Sequence, residues 1–170
     1  MKKFILFLFC AASLLVAESS SSTIPNISLT LLNGDETELY TLLEAGPVLI
    51  DFWATWCAPC KKEMIYLNRY HEKYIKDGFS VLAVNTDSPR SISKVKSYIR
   101  SRKYSFIVAL DPNQQLAQQL NATLLPTSIL VNQKGKIVWF HQGYIPGDEI
   151  EIEKQILSVL KRESIEDSTE

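Results

Sequence analysis

Apolar residues along this chain follow two rhythms. Val48–Trp53 is apolar throughout except at Asp51, the pattern of a central strand buried on both faces. Phe79–Asn85 reads the same way, through Val81, Leu82, Ala83 and Val84. Phe106–Leu110 predicts a short strand, and Thr127–Asn132 and Lys136–Gln142 predict two more, joined by Gln133-Lys134-Gly135 as a hairpin. Near the start, Ile27–Leu32 and Glu36–Tyr40 flank Asn33-Gly34-Asp35, a strong hairpin turn. The second rhythm is helical. Met64, Leu67, Tyr70, His71 and Tyr74 recur along one face between Pro59 and a stop at Gly78. Proline suits the first helical turn, where its missing N–H costs nothing. Further helices are predicted over Ser88–Arg102, Asn113–Leu120 and Pro146–Lys161, and a helical turn over Thr41–Ala45.

This order is a hairpin, then β-α-β, an inserted α-β, an α, and a hairpin closed by a helix. It predicts an α/β fold with a mixed central sheet flanked by helices. The 170 residues suit one domain, and 46% hydrophobic with 22% charged residues is ordinary globular composition. The first residues stand apart. Lys2 and Lys3 precede an apolar run from Phe4 to Val16, then Ala17 and a serine-rich stretch, which is the pattern of a secretory signal. The run is short of the roughly 20 residues that span a membrane. A cleaved signal and linker are expected at 1–22, with an uncleaved anchor as the alternative, a folded domain at 23–162, and a frayed acidic tail at 163–170.

Export changes the charge and the cysteine count. The whole chain carries a net charge of −1; without Lys2 and Lys3, 16 basic residues face 19 acidic ones, a net of −3. Nothing in that balance points to nucleic acid. Of three cysteines, Cys10 leaves with the signal, and Cys57 and Cys60 remain. One closely spaced pair in an exported chain is no disulfide framework, so it reads as chemistry. A structural disulfide is the plainer alternative. Zinc needs two further Cys or His ligands, and His71 and His141 are not at a ligand spacing. Haem attachment needs a histidine after Cys60, where Lys61 stands. No metal or cofactor beyond the cysteine pair is expected.

The pair lies in Asp51-Phe-Trp-Ala-Thr-Trp-Cys57-Ala-Pro-Cys60-Lys-Lys-Glu63, and Leu125-Pro126-Thr127 follows much later. On these residues the chain resembles the thioredoxin superfamily, and within it the exported TlpA/ResA-like thiol-disulfide oxidoreductases. The N-terminal hairpin and the insert near 88–110 match that branch, and the resemblance covers about residues 24–160. It implies a thioredoxin fold. It also implies a candidate catalytic set of Cys57, Cys60, Asp51 and Glu63, and a substrate-binding set of Trp56, Pro59, Leu125 and Pro126.

Each matched residue has a physical reading. A thiol at a helix start faces free N–H groups and partial positive charge, which lower its pKa from about 8.5 toward roughly 7 or below. Cys57 is then the nucleophile, and Cys60, one turn in, resolves the mixed disulfide. Pro126 resembles the family's cis-proline, which presents backbone to the substrate; the alternative is an ordinary trans loop proline. Thioredoxins place a buried Asp at position 51 to relay the proton of the resolving cysteine, whereas many exported relatives carry another residue. A hydrogen-bonded structural carboxylate is the other reading. Glu63 matches an acidic position held to tune cysteine acidity; the alternative is a solvated helix face. Trp53 reads as core. Trp56 reads as a shield for the disulfide and as partner-binding surface. Leu124 and Leu125 read either as an apolar rim beside it or as core. His71 and His141 read as surface or packing residues.

Between Asp87 and Asp111 six basic residues occur without an acid: Arg90, Lys94, Lys96, Arg100, Arg102 and Lys103. A solvated helix face and a dock for an acidic partner both fit. The expected function is exchange of electrons with cysteine pairs of other exported proteins, at the periplasmic or extracytoplasmic side of a membrane. The branch implies a reductant, with apocytochrome c among its clients; an upstream membrane electron donor and a monomeric state are expected. A disulfide oxidase or isomerase and a non-catalytic binding module are the alternatives. A peroxidase fits less well, because no proline stands in Ala54-Thr55-Trp56.

Overall fold

A computed structural model describes residues 23–167. The expected signal segment lies outside the described residues, as does the end of the acidic tail at 168–170. The elements run β1 (Ser28–Leu31), β2 (Glu36–Glu38), α1 (Leu39–Leu43), β3 (Val48–Trp53), α2 (Ala58–Tyr74), β4 (Ser80–Asn85), α3 (Ile92–Arg102), β5 (Ile107–Leu110), α4 (Gln115–Gln119), β6 (Thr127–Val131), β7 (Ile137–Gln142) and α5 (Asp148–Asp167). They form one seven-stranded sheet in the order β2-β1-β5-β4-β3-β6-β7. β4 runs parallel to β3 and β5, while β6 lies antiparallel to β3 and β7 antiparallel to β6. This is the mixed α/β thioredoxin fold that the sequence pattern and the resemblance lead to.

Period-two alternation along β3 builds two cores. Leu49 and Trp53 face α2, α3 and α5 with Met64, Leu67, Val95, Ile152 and Ile156. Val48, Ile50 and Phe52 face the other way, onto α1, α4 and the N-terminal hairpin. All six β3 residues are buried, so its near-continuous apolar run reflects two covered faces. Gly46 and Gly78 let β3 and β4 start side by side. Both have positive φ, and a Cβ on Gly78 would meet Ala45 O at 2.5 Å.

Two boundaries differ from the sequence pattern. Leu39 and Tyr40 leave the hairpin strand and open α1, because their N–H groups bond Ile27 O and Asn26 Oδ1. The acidic tail is not frayed from residue 163: α5 continues to Asp167. Acidic residues at a helix C-terminus oppose its dipole, which argues for fraying. Here Glu163 accepts a 2.7 Å hydrogen bond from the Gln133 N–H on the β6–β7 turn, and that tertiary contact carries the helix on.

Candidate active site

The apolar run of β3 ends at Trp53, and the chain turns through Ala54-Thr55-Trp56 into α2. Cys57 is the N-cap of α2, in extended conformation, and its Sγ accepts the Cys60 N–H at 3.2 Å. Pro59 lies in the first turn, as its fixed φ and missing donor allow. Cys57 and Cys60 are joined as a disulfide with their Cα atoms 5.4 Å apart. Cys57 is 4% exposed and Cys60 fully buried, so both cysteines are buried and Cys57 is the slightly more accessible residue.

The turn itself is held by residues that sequence reasoning missed. Asp87, just beyond β4, is buried and accepts from the Thr55 N–H at 2.7 Å, the Thr55 hydroxyl at 2.9 Å and the Asn85 side-chain amide at 2.9 Å. Three donors satisfy the buried carboxylate and lock the loop that carries Trp56. The signal was Asn85-Thr86-Asp87, a polar triplet closing an apolar strand. Trp53 is core, packed at 5.5 Å on Tyr98. Trp56 is 68% and Leu124 58% exposed, while Leu125 is half-buried against both cores. The Leu125–Pro126 bond is cis. Register places Pro126 level with the end of β3, since Thr127 pairs with Phe52, and its carbonyl accepts the Gly143 N–H at 2.8 Å. Pro59 is exposed, between the two cysteines in sequence, while Pro126 is buried.

Beneath Cys60 lie two acids. Asp51 is fully buried, and neither of its oxygens has a hydrogen-bond donor among the described residues. Burial, then the nearby charge of Glu63, pushes its pKa well above the ordinary carboxylate range. Glu63 is also fully buried, which removes the solvated-face alternative. Its Oε1 accepts the Ser128 hydroxyl at 2.8 Å. Burial raises Glu63 to about 7, against the lowering effect of the Ser128 bond and with some help from the Asp148 charge. Asp51 and Ser128 are direct cross-strand partners, and Glu63 comes down from α2 one turn after Cys60. Ser128 also escaped sequence reasoning, although a hydroxyl inside the apolar β6 pattern was the available signal.

His71 is buried with its Nδ1 accepting the Val81 N–H at 3.2 Å, a packing role; burial lowers its pKa. His141 pairs with Asp148 at 3.3 Å and stacks on Trp139. No group of three or more His, Cys, Asp and Glu side chains is placed to hold a metal ion among the described residues. The arrangement can perform thiol–disulfide exchange: a cysteine pair joined as a disulfide within the first turn of α2, with a buried carboxyl group one turn further along the same helix.

A Redoxin family model matches residues 19–156. The chain belongs to the Redoxin family. Among curated proteins it is similar to the thiol-disulfide oxidoreductase ResA of Bacillus thuringiensis, 37% identical over 114 residues, which covers 67% of this chain. The match spans 64% of that relative, just under two thirds of its length. ResA of Geobacillus kaustophilus is 33% identical over 135 residues, 79% of this chain and 76% of the relative. A solved structure of a putative thiol:disulfide interchange protein DsbE from Chlorobium tepidum superposes with a TM-score of 0.76 at 31% identity, covering 82% of this chain and 96% of that one. This Redoxin chain is thus a TlpA/ResA-like member of the thioredoxin superfamily.

Proposed function

We propose that this protein is an exported thiol-disulfide oxidoreductase that reduces cysteine pairs in other extracytoplasmic proteins. The observation that carries the reading is the cysteine pair at the start of α2: Cys57 caps the helix next to the exposed Trp56, and Cys60 is fully buried one turn before the buried Glu63. In the reduced protein the Cys57 thiolate attacks a substrate disulfide, forming a mixed disulfide and releasing one substrate thiolate. Cys60 then gives up its proton and attacks Cys57 Sγ. The intramolecular disulfide forms, and the second substrate sulfur leaves with the electron pair. An upstream membrane electron donor returns the pair to the dithiol. The rim supplies apolar contact for an unfolded or extended segment, and apocytochrome c, which needs reduced cysteines to take haem, is a client of this class.

The electrostatics favour a reductant. A strong oxidant arises where the reduced form is stabilised. Here the two residues between the cysteines, Ala58 and Pro59, offer the sulfurs neither charge nor side-chain donor, and buried acids oppose a nearby thiolate. Redox equilibration of Cys57–Cys60 tests the direction. A potential near −250 mV or lower supports the reductant, and one near −120 mV means an oxidant instead. Cys60→Ser provides the client test, because a mixed disulfide on Cys57 cannot then resolve. Absence of any covalent partner from the extracytoplasmic fraction would remove the substrate-reducing role.

A further inference from the structure

Three carboxylate oxygens meet no donor among the described residues in the core behind Cys60: both of Asp51 and Oε2 of Glu63. Two carboxylates in one apolar pocket cannot both be charged without large cost, so such a pair holds a proton. Which member holds it depends on what donates to each. Only one donor reaches the pair from the described residues, the Ser128 hydroxyl, and it bonds Glu63 Oε1. A hydroxyl donating to a carboxyl group favours that group's charged form. Asp51, flanked by Ala83 on β4 and Ser128 on β6, receives no such help.

We propose that Ser128 is a positioning residue for proton transfer at Cys60: its hydroxyl directs the one proton of the Asp51–Glu63 pair onto Asp51 and leaves Glu63 as the charged member. Glu63 then takes the Cys60 proton when the mixed disulfide resolves. In that step the Cys60 S–H bond breaks, with its proton passing to Glu63. The Cys60 Sγ–Cys57 Sγ bond forms, and the Cys57–substrate S–S bond breaks with its electron pair on the substrate sulfur. The pair is oxidised, the substrate is reduced, and Glu63 later returns the proton to solvent.

The groups around Glu63 are few. Cys60 shares its helix, Asp51 faces it from β3 and Ser128 from β6. His141 lies beside Ser128 in register on β7, bonded to Asp148 at the start of α5. Tyr144, whose hydroxyl donates to Glu149 at 2.7 Å, lies within electrostatic reach of Glu63 and Tyr66. Of these, Asp148 and Glu149 add negative charge.

The inference rests on the oxidoreductase reading for its purpose, but its test needs no substrate. Side-chain carboxyl carbon-13 titrations of the oxidised protein report both acids directly. Ser128→Ala is expected to raise the Glu63 midpoint by about one pH unit, since a hydrogen bond to a charged group is lost. Ser128→Thr, which keeps the hydroxyl, restores it. Asp51→Asn imitates a protonated Asp51, so the Glu63 midpoint stays within about 0.3 units of wild type. An unmoved Glu63 midpoint in Ser128→Ala, or an equal shift in Ser128→Thr, overturns the proposal. A fall of a unit or more in Asp51→Asn overturns it as well, because Asp51 would then have carried the charge; this variant decides the matter even if Ser128→Ala fails to fold. Normal titrations in a protein without exchange activity would instead remove the oxidoreductase reading alone.

Discussion

Replacing Glu63 by glutamine should make the protein less sensitive to alkaline pH. Glu63 is fully buried, and its pKa rises from 4.5 to about 7, chiefly through loss of hydration. A native pKa above the unfolded one means that the folded state binds the proton more tightly. That contribution is fully present below pH 4.5 and is lost as pH rises through about 7. A shift of that size corresponds to about 3 kcal/mol between pH 4.5 and 8. Glutamine keeps an oxygen for the Ser128 hydroxyl and never ionises. At pH 5 the variant should therefore unfold within about 1 kcal/mol of wild type, as a near-isosteric change that keeps its hydrogen bond. At pH 8 it should be more stable than wild type by about 2–3 kcal/mol. Asp51 contributes with the same sign in both proteins, and less in the variant, because the neighbouring charge has gone. The assay is urea unfolding of the oxidised protein at several pH values with the slope m checked for constancy. An identical loss of stability from pH 5 to pH 8 in both proteins would refute the buried-acid argument.

Asp87→Ala leaves the Thr55 N–H and hydroxyl without their buried acceptor, and should cost about 2–4 kcal/mol in urea unfolding together with slower exchange at Cys57. Trp56→Ala should leave stability within about 0.5 kcal/mol, because the ring is exposed. The same change should cut kcat/KM for a protein disulfide about tenfold while sparing a small disulfide reagent, since interface tryptophans carry a disproportionate share of contact energy. Truncation after Arg162 removes the acceptor for the Gln133 N–H and should cost up to about 1.5 kcal/mol, read as an earlier urea midpoint.

What the chain reveals locally and what it conceals divide along sequence distance. Val48–Trp53 was legible to the residue because both faces of β3 are covered, so hydrophobicity alone specifies it. The disulfide was legible because Cys57, Pro59 and Cys60 sit within one helical turn. The helix over 88–102 was legible in extent but opens with a 3-10 turn at Pro89–Ser91 before α3 proper. One of its basic residues, Arg102, bends back onto an aromatic, lying 5.7 Å above the Tyr98 ring. The C-terminal helix was misjudged because a contact to a turn 30 residues earlier outweighs unfavourable end charges.

The polar half of the site shows the same division more sharply. Asp51 announces itself by breaking an apolar strand, and Glu63 by its distance from Cys60, yet neither position says whether its carboxyl is charged. The hydroxyl that we propose decides it belongs to Ser128, 65 residues from Glu63 along the chain and adjacent to it only because β6 pairs with β3. Asp87 likewise reaches Thr55 across 32 residues through the parallel pairing of β3 and β4. Cysteine reactivity is therefore written in one short segment, while control of its protons and of its loop is written in the sheet. A neutral substitution at Ser128 or Asp87 would leave every recognisable motif of the chain intact and still change the chemistry of Cys57 and Cys60.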